Sequence, residues 1–450
     1  MTFGGLHISR TGIAASQRAL DVIGHNIANV GTPGHSRLRT DQVSTERTGP
    51  SLVLGPGANG TGVRIEGVSR VRDAVLDSSL RAELANSGGA QVLADSMACI
   101  EAAVGPLDGN LNDALTVFWN SWEELSLDPT SDTARTLVLD ASDRVARSIQ
   151  AAAAGLDDAR TAGASTATSL LAEQRTALHA VAELNGQIAA QRAVGESPNA
   201  LLDQRDLHLD SLARTLGATV HHLEDGTVNV SVGGYEVVRG TRVSELSISG
   251  TPAALQTGEG ATIVPSGEIG AHLVGVRSVA DQVGAELDAL AVALRDTVNT
   301  QHAAGFTEAG VAGADLFSAT SAADFSVAAG VTIDSLAASA SGAAGDGNHA
   351  IEMAALRSTD IGGGTLDEQT RSLIGRVGSA TADANARAEM NETILGDLES
   401  ARSSVSGVNL DEELTMLLQY QRAYEASARV LTSVDEMLDV LINRTGLVGR

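Results

Sequence analysis

The sequence predicts a mainly α-helical chain with a small β portion, its two terminal helices pairing as a coiled coil. Three observations carry that expectation. Leu6, Ile13, Leu20 and Ile27 recur at intervals of seven, with Ile23 and Val30 on a second line. Such a narrow apolar stripe is the seam along which helices supercoil. Leu410, Leu417, Tyr424, Leu431 and Leu438 repeat that interval near the other end, and Leu414, Ala428 and Ile442 form a companion line. Between the two, apolar residues three and four apart recur through most of the chain, the spacing of amphipathic helices. Helices at opposite ends of one chain pair only if it doubles back, so the middle projects between them as an insertion.

Composition narrows the function. At 450 residues there is room for roughly three domains. Hydrophobic residues make up 43% but aromatics only 2%, so the core is built from Ala, Leu, Val and Ile. The chain has no lysine, and its formal net charge is -26. That balance argues against sequence-independent nucleic-acid binding, which needs clustered cations, and against docking on anionic lipid. Cys99 is alone, so no internal disulfide forms, and its helical, apolar context suits burial. No apolar run approaches the ~18 to 20 residues of a membrane span. The first residues lack the features of a secretory signal peptide. Taken alone, these readings point to the cytoplasm.

In chain order, the first helix stops at Asn29, Gly31, Pro33 and Gly34. The polar stretch that follows holds the spacing Gly55-x-Gly57-x-x-Gly60. Pro56 lies inside it and a strand-like VRIEGV follows, so a turn is expected rather than a dinucleotide loop. Residues 70–216 read as mostly helical, with an end at Gly105-Pro106. Next comes a helix capped at Asp108 or Asn112, with Leu111, Leu115, Phe118, Trp122 and Leu125 on one face. Glu123 and Glu124 are neighbours that diverge on a helix, which makes a solvated surface rather than an acid–base pair. Residues 131–192 form one or two long helices with weak points at Gly155 and Gly163. After a break at 195–198 comes NALLDQRDLHLDSLARTL, another helix.

The pattern changes at Gly217. Alternation around Asp225-Gly226 and Gly233-Gly234 predicts hairpins, with strand signals through Val264. His221 and His222, weighed with Asp225 as metal ligands, are adjacent on a strand and face opposite sides, so they do not converge on an ion. Residues 268–302 return to helix. Residues 305–364 read as loops and short strands, where Asp346-Gly347-Asn348 falls short of a calcium loop. From 365 onward the pattern is helical, broken once at Ser406-Gly407. Asp411, Glu412 and Glu413 suit the start of the last helix and Arg444 its end. No Ser/His/Asp or Cys/His arrangement has recognisable spacing, and nothing calls for a cofactor.

NIANVGTPGHSR at 26–37, together with the C-terminal heptad helix, resembles the end signatures of bacterial flagellar axial proteins. SPNALLDQRD (197–206), NTQHAAGF (299–306) and SGVNLDEE (406–413) narrow the resemblance to the hook-associated protein 1 family. RIEGVSRVRD (64–73) matches that family's strand leading into its first long helix, and His35 stands where the family usually has an aromatic residue. The resemblance implies a structural, non-catalytic hook–filament junction protein. Its subunits stack in a helical array, with terminal helices forming an inner tube and middle domains outside. The expected division is a terminal coiled-coil domain (1–36 with 406–450), a helical rod-like domain (37–216 with 266–306 and 365–405) and a reduced β-rich outer region (217–265 with 307–364). The implied assembly interface comprises Leu6, Ile13, Leu20, Ile23, Ile27, Leu410, Leu414, Leu417, Tyr424, Leu431, Leu438 and Ile442. Implied partners are like subunits, the hook protein, the second hook–filament junction protein, and a cytosolic export chaperone on the C-terminal helix. The family leaves the cell unfolded through the flagellar type III channel without a cleaved signal, which replaces the cytoplasmic expectation with an extracellular one. The alternatives are another axial component of hook or rod, and a flagellum-associated wall hydrolase.

Overall fold

A computed structural model describes residues 2–45, 60–105, 111–361, 363–440 and 442. The expectations for Gly55 and Gly57, for Pro106 and Asp108, and for Arg444 lie outside the described residues.

Helix α1 (Thr2–Ala28) opens the chain. In the turn that follows, Gly34 has φ +77, and a Cβ there would lie 2.7 Å from the Leu207 side chain. Strands β1 (Leu38–Thr45) and β2 (Gly62–Arg70) form an antiparallel hairpin with an irregularity between Asp41 and Gln42. The hairpin packs on α1. Helix α2 (Ala74–Val104) begins where the Asp73 carboxylate accepts the N–H groups of Val75 and Leu76, which would otherwise lack a partner inside the helix. Helix α3 (Leu111–Leu127) follows. Helix α4 (Asp132–Ala193) is the spine, with 62 residues and a length of about 90 Å at the usual rise per residue.

Gly155 and Gly163 do not weaken α4, which is unbroken through both. An added Cβ at Gly155 would lie 2.5 Å from the Cβ of Ala103, and one at Gly163 would lie 3.3 Å from the His272 carbonyl oxygen. These glycines let neighbouring elements approach the spine, and packing there outweighs their helix cost.

Helix α5 (Asn199–Leu216) leads into two antiparallel sheets. The first orders β3 (Thr219–His222), β4 (Val228–Val232), β5 (Tyr235–Arg239) and β6 (Arg242–Val243) in sequence. The second comprises β7 (Leu246–Ser249), β8 (Ala254–Thr257) and β9 (Thr262–Ile263). A short α6 (Gly267–Gly270) runs through a π-helical turn, Ala271–Val276, into α7 (Arg277–Ala304). A loop-rich stretch then carries β10 (Phe317–Ser318), β11 (Ser326–Val327) and α8 (Asn348–Ala355). Helix α9 (Leu366–Ser406) starts in a capping box between Thr365 and Glu368. Helix α10 (Leu410–Asp439) starts at Asn409, whose side chain accepts the N–H groups of Asp411 and Glu412.

Two cores lie in series along α4. The first joins α3, the first half of α4, α7 and α9 around Phe118, Trp119, Trp122, Phe317 and Phe325. Phe118 meets Trp119 at 4.8 Å and Phe317 at 5.7 Å between ring centroids. Half of the chain's ten aromatic residues are thus gathered where bulk fills one space. The second core sets Leu171, Leu178 and Val181 of α4 and Leu209 and Leu212 of α5 against Val228, Val230 and Leu255 of the sheets.

This arrangement corrects two expectations. Residues 217–265 and 307–364 do not make one outer β-rich region. The former belongs to the second core, whereas Leu316, Phe317, Phe325, Leu336 and Met353 belong to the first. Side chains of the NTQHAAGF stretch tie them there. Asn299 accepts the Leu316 and Phe317 N–H groups and donates to the Phe317 carbonyl. His302 Nε2 accepts from the Ala337 N–H at 3.0 Å, which leaves Nδ1 as the donor to the Ala314 carbonyl at 2.5 Å. Cys99 is exposed rather than buried, because the inward face of α2 runs through Ala94, Met97, Ile100 and Val104.

Phe118 is fully buried, so Phe118→Ala is expected to cost about 3–5 kcal/mol, read from urea unfolding followed by circular dichroism. Burial lowers the pKa of His302 below its ordinary 6.5, with the Ala314 hydrogen bond opposing. The unfolded chain takes up a proton that the native imidazole refuses. The contribution of His302 is therefore complete above that pH and is lost as the pH falls. The urea midpoint is expected to fall between about pH 7.5 and about pH 5.5, and to fall less in His302→Gln.

Candidate assembly surface

Helices α1 and α10 run antiparallel, and the face that α1 turns inward is built from small residues. Ser9, Ala15, Ser16, Ala19, Val22, Ile23 and Asn26 are its buried positions. A Cβ on Gly5 would lie 3.5 Å from Val434, and one on Gly12 would lie 2.9 Å from the Ser427 hydroxyl. At the far end the Asn26 amide donates to Glu413 Oε2 at 3.1 Å. These three pairs share one register, which sets Ala19 across from Tyr420. Small side chains bring the two backbones close, but they bury little apolar area. Within α10 only Glu413 and Val434 are buried.

Most of the apolar residues singled out in the sequence therefore lie beside this seam or outside it. Ile23 is buried within it. Leu6, Ile13, Leu20 and Ile27 are half-buried along one flank of α1, and on α10 Leu417, Tyr424, Leu431 and Leu438 are half-buried, as Tyr420 and Ser427 are. Leu410 and Leu414 are 45% and 51% exposed, and Ile442 and Val30 are exposed too. The companion line on α10 that faces α1 is Glu413, Tyr420, Ser427 and Val434, not Leu414, Ala428 and Ile442. A search for large apolar residues passes over it, because serine and glycine carry no hydrophobic signal.

The helix pair meets the body of the chain in a knot of charge. Arg37 donates from Nε to Glu413 Oε1 at 2.8 Å and from Nη1 to Glu412 at 2.9 Å, and its backbone N–H donates to the Ser406 carbonyl. Next along the chain, the Ser36 hydroxyl donates to Asp203 at 2.7 Å. Arg70 bridges Asp203 and Asp206 at 2.8 and 2.7 Å. Arg81 bridges Asp206 and Asp210, and Arg402 of α9 closes on Asp210 at 2.7 Å. Arg72 pairs with Asp77 at 2.9 Å and approaches Asp206 at 3.4 Å. Asp206 is the hub. Burial alone would raise its pKa, but Arg70, Arg72 and Arg81 reverse that and hold it below the ordinary carboxylate value. Beside it, burial lowers the Arg205 guanidinium to about 10 against the pull of Asp206.

The stretches RIEGVSRVRD, SPNALLDQRD and SGVNLDEE, together with the end of NIANVGTPGHSR, thus converge on one joint. The sequence held the signal as four short charged runs, but their pairing across more than a hundred residues was not visible. A groove of about 840 Å³ opens beside the joint, and the exposed Val30, Leu207 and Leu410 are among its lining residues. His221 and His222 lie on β3 opposite Asn229 and Val228, and both are exposed. Among the described residues no group of three or more His, Cys, Asp or Glu side chains is placed to hold a metal ion.

Paired chain ends joined by a charged knot to a helical body fit the flagellar axial proteins that the end sequences resemble. Family comparisons agree along the chain. Residues 6–35 match the flagella basal body rod protein family, and residues 399–444 match the C-terminal family of the basal body rod proteins FlgE, FlgF and FlgG. Residues 97–317 match the helical domain of the flagellar hook-associated protein FlgK. Flagellar hook-associated protein 1 of Bacillus subtilis (strain 168) is 29% identical over 508 residues, which spans 100% of this chain and 99% of that protein. Its counterpart in Escherichia coli (strain K12) is 25% identical, spanning 96% and 98%. The flagellar hook junction protein FlgK of Burkholderia pseudomallei shares the fold, with a TM-score of 0.67 at 16% identity over 73% of this chain and 100% of that one. These matches support a flagellar hook-associated protein of the FlgK type, a structural protein of the flagellum.

Removing one partner from a buried ionic network leaves the others uncompensated. Asp206→Ala is therefore expected to destabilise the chain by about 3–5 kcal/mol, as seen in urea unfolding. Glu399→Ala, in a side chain at the groove edge, is expected to change it by less than about 0.5 kcal/mol.

Proposed function

We propose that this chain forms the hook–filament junction, stacking with copies of itself through the outward faces of α1 and α10. The observation that supports this reading is the division of α1 into two faces. Its small residues are used up against α10, while Leu6, Ile13, Leu20 and Ile27 remain half-buried beside the exposed Leu410 and Leu414. An apolar stripe left uncovered on a chain carrying a net charge of -26 marks a surface for further association. Of the other positions expected at the interface, Ile23 is spent inside the pair, and Leu417, Tyr424, Leu431, Leu438 and Ile442 are the rest of its α10 side. Hook protein on one side and the second junction protein on the other are the neighbours this role requires, and no catalytic step is part of it. In the same reading the chain leaves the cell through the flagellar type III channel without a cleaved signal. Before export, a cytosolic chaperone covers the apolar side of α10.

Two experiments test the proposal. Leu410→Asp with Leu414→Asp is expected to abolish incorporation at the hook and motility while leaving the circular dichroism and urea midpoint of the purified chain unchanged. Full motility of that double variant overturns the interface. Removal of residues 410–450 is expected to give a chain that reaches the medium but is not retained on hooks. Retention of the shortened chain overturns the role of the last helix.

A further inference from the structure

We infer that Glu413, gripped by Asn26 and Arg37, sets the register in which α1 and α10 pair. Its consequence for assembly rests on the reading above; the lock itself does not. The seam between the helices specifies register poorly. Along α1 it presents Gly5, Gly12 and Ala19 in turn, each seven residues after the last and each nearly without side chain. A slide by one heptad would place Gly5 across from Ser427 and Gly12 across from Tyr420, so small residues would still face the same line of α10. Close approach is preserved, and the apolar contact the slide gives up is that of the buried Val434 beside Gly5. Registers separated by one heptad are the alternatives a coiled coil must be built to reject.

The slide is opposed where the seam ends. Glu413 has no exposed surface. Its two carboxylate oxygens are divided between Asn26 Nδ2 at 3.1 Å and Arg37 Nε at 2.8 Å. Asn26 is itself committed. It is fully buried, donates to the Leu38 carbonyl at 3.0 Å and accepts the Leu38 N–H at 2.9 Å. The amide that meets Glu413 is therefore fixed by the backbone at the start of β1 and cannot follow a sliding helix. Displaced by one heptad, the carboxylate would face Ala19 and lie buried with no donor. Displaced the other way, it would pass the end of α1 and lose Asn26. A buried charge without its partners is strongly disfavoured, so one polar contact rejects both neighbouring registers. The leucines and isoleucines outside the seam, which the lock does not touch, then come to lie at fixed heights relative to one another.

Cysteine pairs in the full-length chain read the register directly, with Cys99→Ser as the background. A Cβ on Gly12 would lie 3.6 Å from the Ser427 Cβ, within the usual disulfide range. Gly12→Cys with Ser427→Cys therefore reports the native register, and Gly5→Cys with Ser427→Cys reports the slipped one. With Glu413 present, the native pair is expected to close in roughly tenfold or greater excess over the slipped pair, the discrimination expected of a hydrogen-bonded buried charge. In Glu413→Ala, and separately in Asn26→Ala, the two yields are expected to become comparable while the circular dichroism of the helical body is unchanged. Glu413→Gln, which keeps the amide contact and loses the ion pair, is expected to fall between. Continued exclusive closure of the native pair in Glu413→Ala overturns the inference and gives the register to the Arg37–Ser406 backbone tether. Equal yields with Glu413 intact overturn it as well. So does a fall of both pairs in Glu413→Gln to the level of the urea-unfolded chain, since that makes Glu413 an attachment point only. None of these readouts involves a flagellum, so a failed incorporation assay leaves the register result standing.

Discussion

The fold hangs on Asp206. Its carboxylate receives Arg70 from β2 and Arg81 from α2 and lies 3.4 Å from Arg72 in the connection between them. Asp203 and Asp210 extend the array to Ser36 and to Arg402 of α9. A buried array of this kind stabilises less than an apolar contact of equal size would, because each ion loses its hydration. What it supplies is direction. Apolar side chains pack in many rotations, whereas a guanidinium satisfied by two carboxylates fixes the angle between the elements that carry them. The chain uses arginine for every such contact and has no lysine, in keeping with a joint whose planar forks must each meet two acceptors.

That joint allows the rest of the molecule to be thin. Helix α4 is too long for a single compact core, so the apolar interior is divided into two clusters along it. The terminal pair has almost no interior of its own. Its attachment to the body runs through the charged knot, the hairpin of β1 and β2, and the contact of Gly34 with Leu207. A helix pair that buried its large residues internally would have no apolar surface left to offer. Orientation has been placed at the joint, and the pair's outward face is left free of that task.

Much of this was legible in the sequence. Every long helix could be located from its apolar period, and strands alternating around Asp225-Gly226 and Gly233-Gly234 announced the small sheets. The failures have physical causes. Gly155 and Gly163 read as weak points because propensity counts the entropy of glycine and not the neighbouring Ala103 and His272 that need its absent side chain. Residues 307–364 read as outer loops because few of them are large. The ones that are, Phe317, Phe325 and Leu336, fill the aromatic core instead, drawn in by Asn299 and His302. The joint was present as four charged runs, but a single sequence does not say that Arg70 belongs to Asp206 and not to a nearer acid such as Glu66.

The heptads of the first helix show the same limit from the other side. Period-seven leucine and isoleucine normally mark the buried line of a pair. Here that phase lies on the flank, because close approach to α10 requires serine, glycine and alanine at the contact. Both lines have the same period and differ only in size, so periodicity alone cannot say which is the seam. The small line is the one that carries Glu413 and Asn26, two polar residues that a hydrophobic reading discards. With the small face inward, the large face is the one left for the proposed stacking.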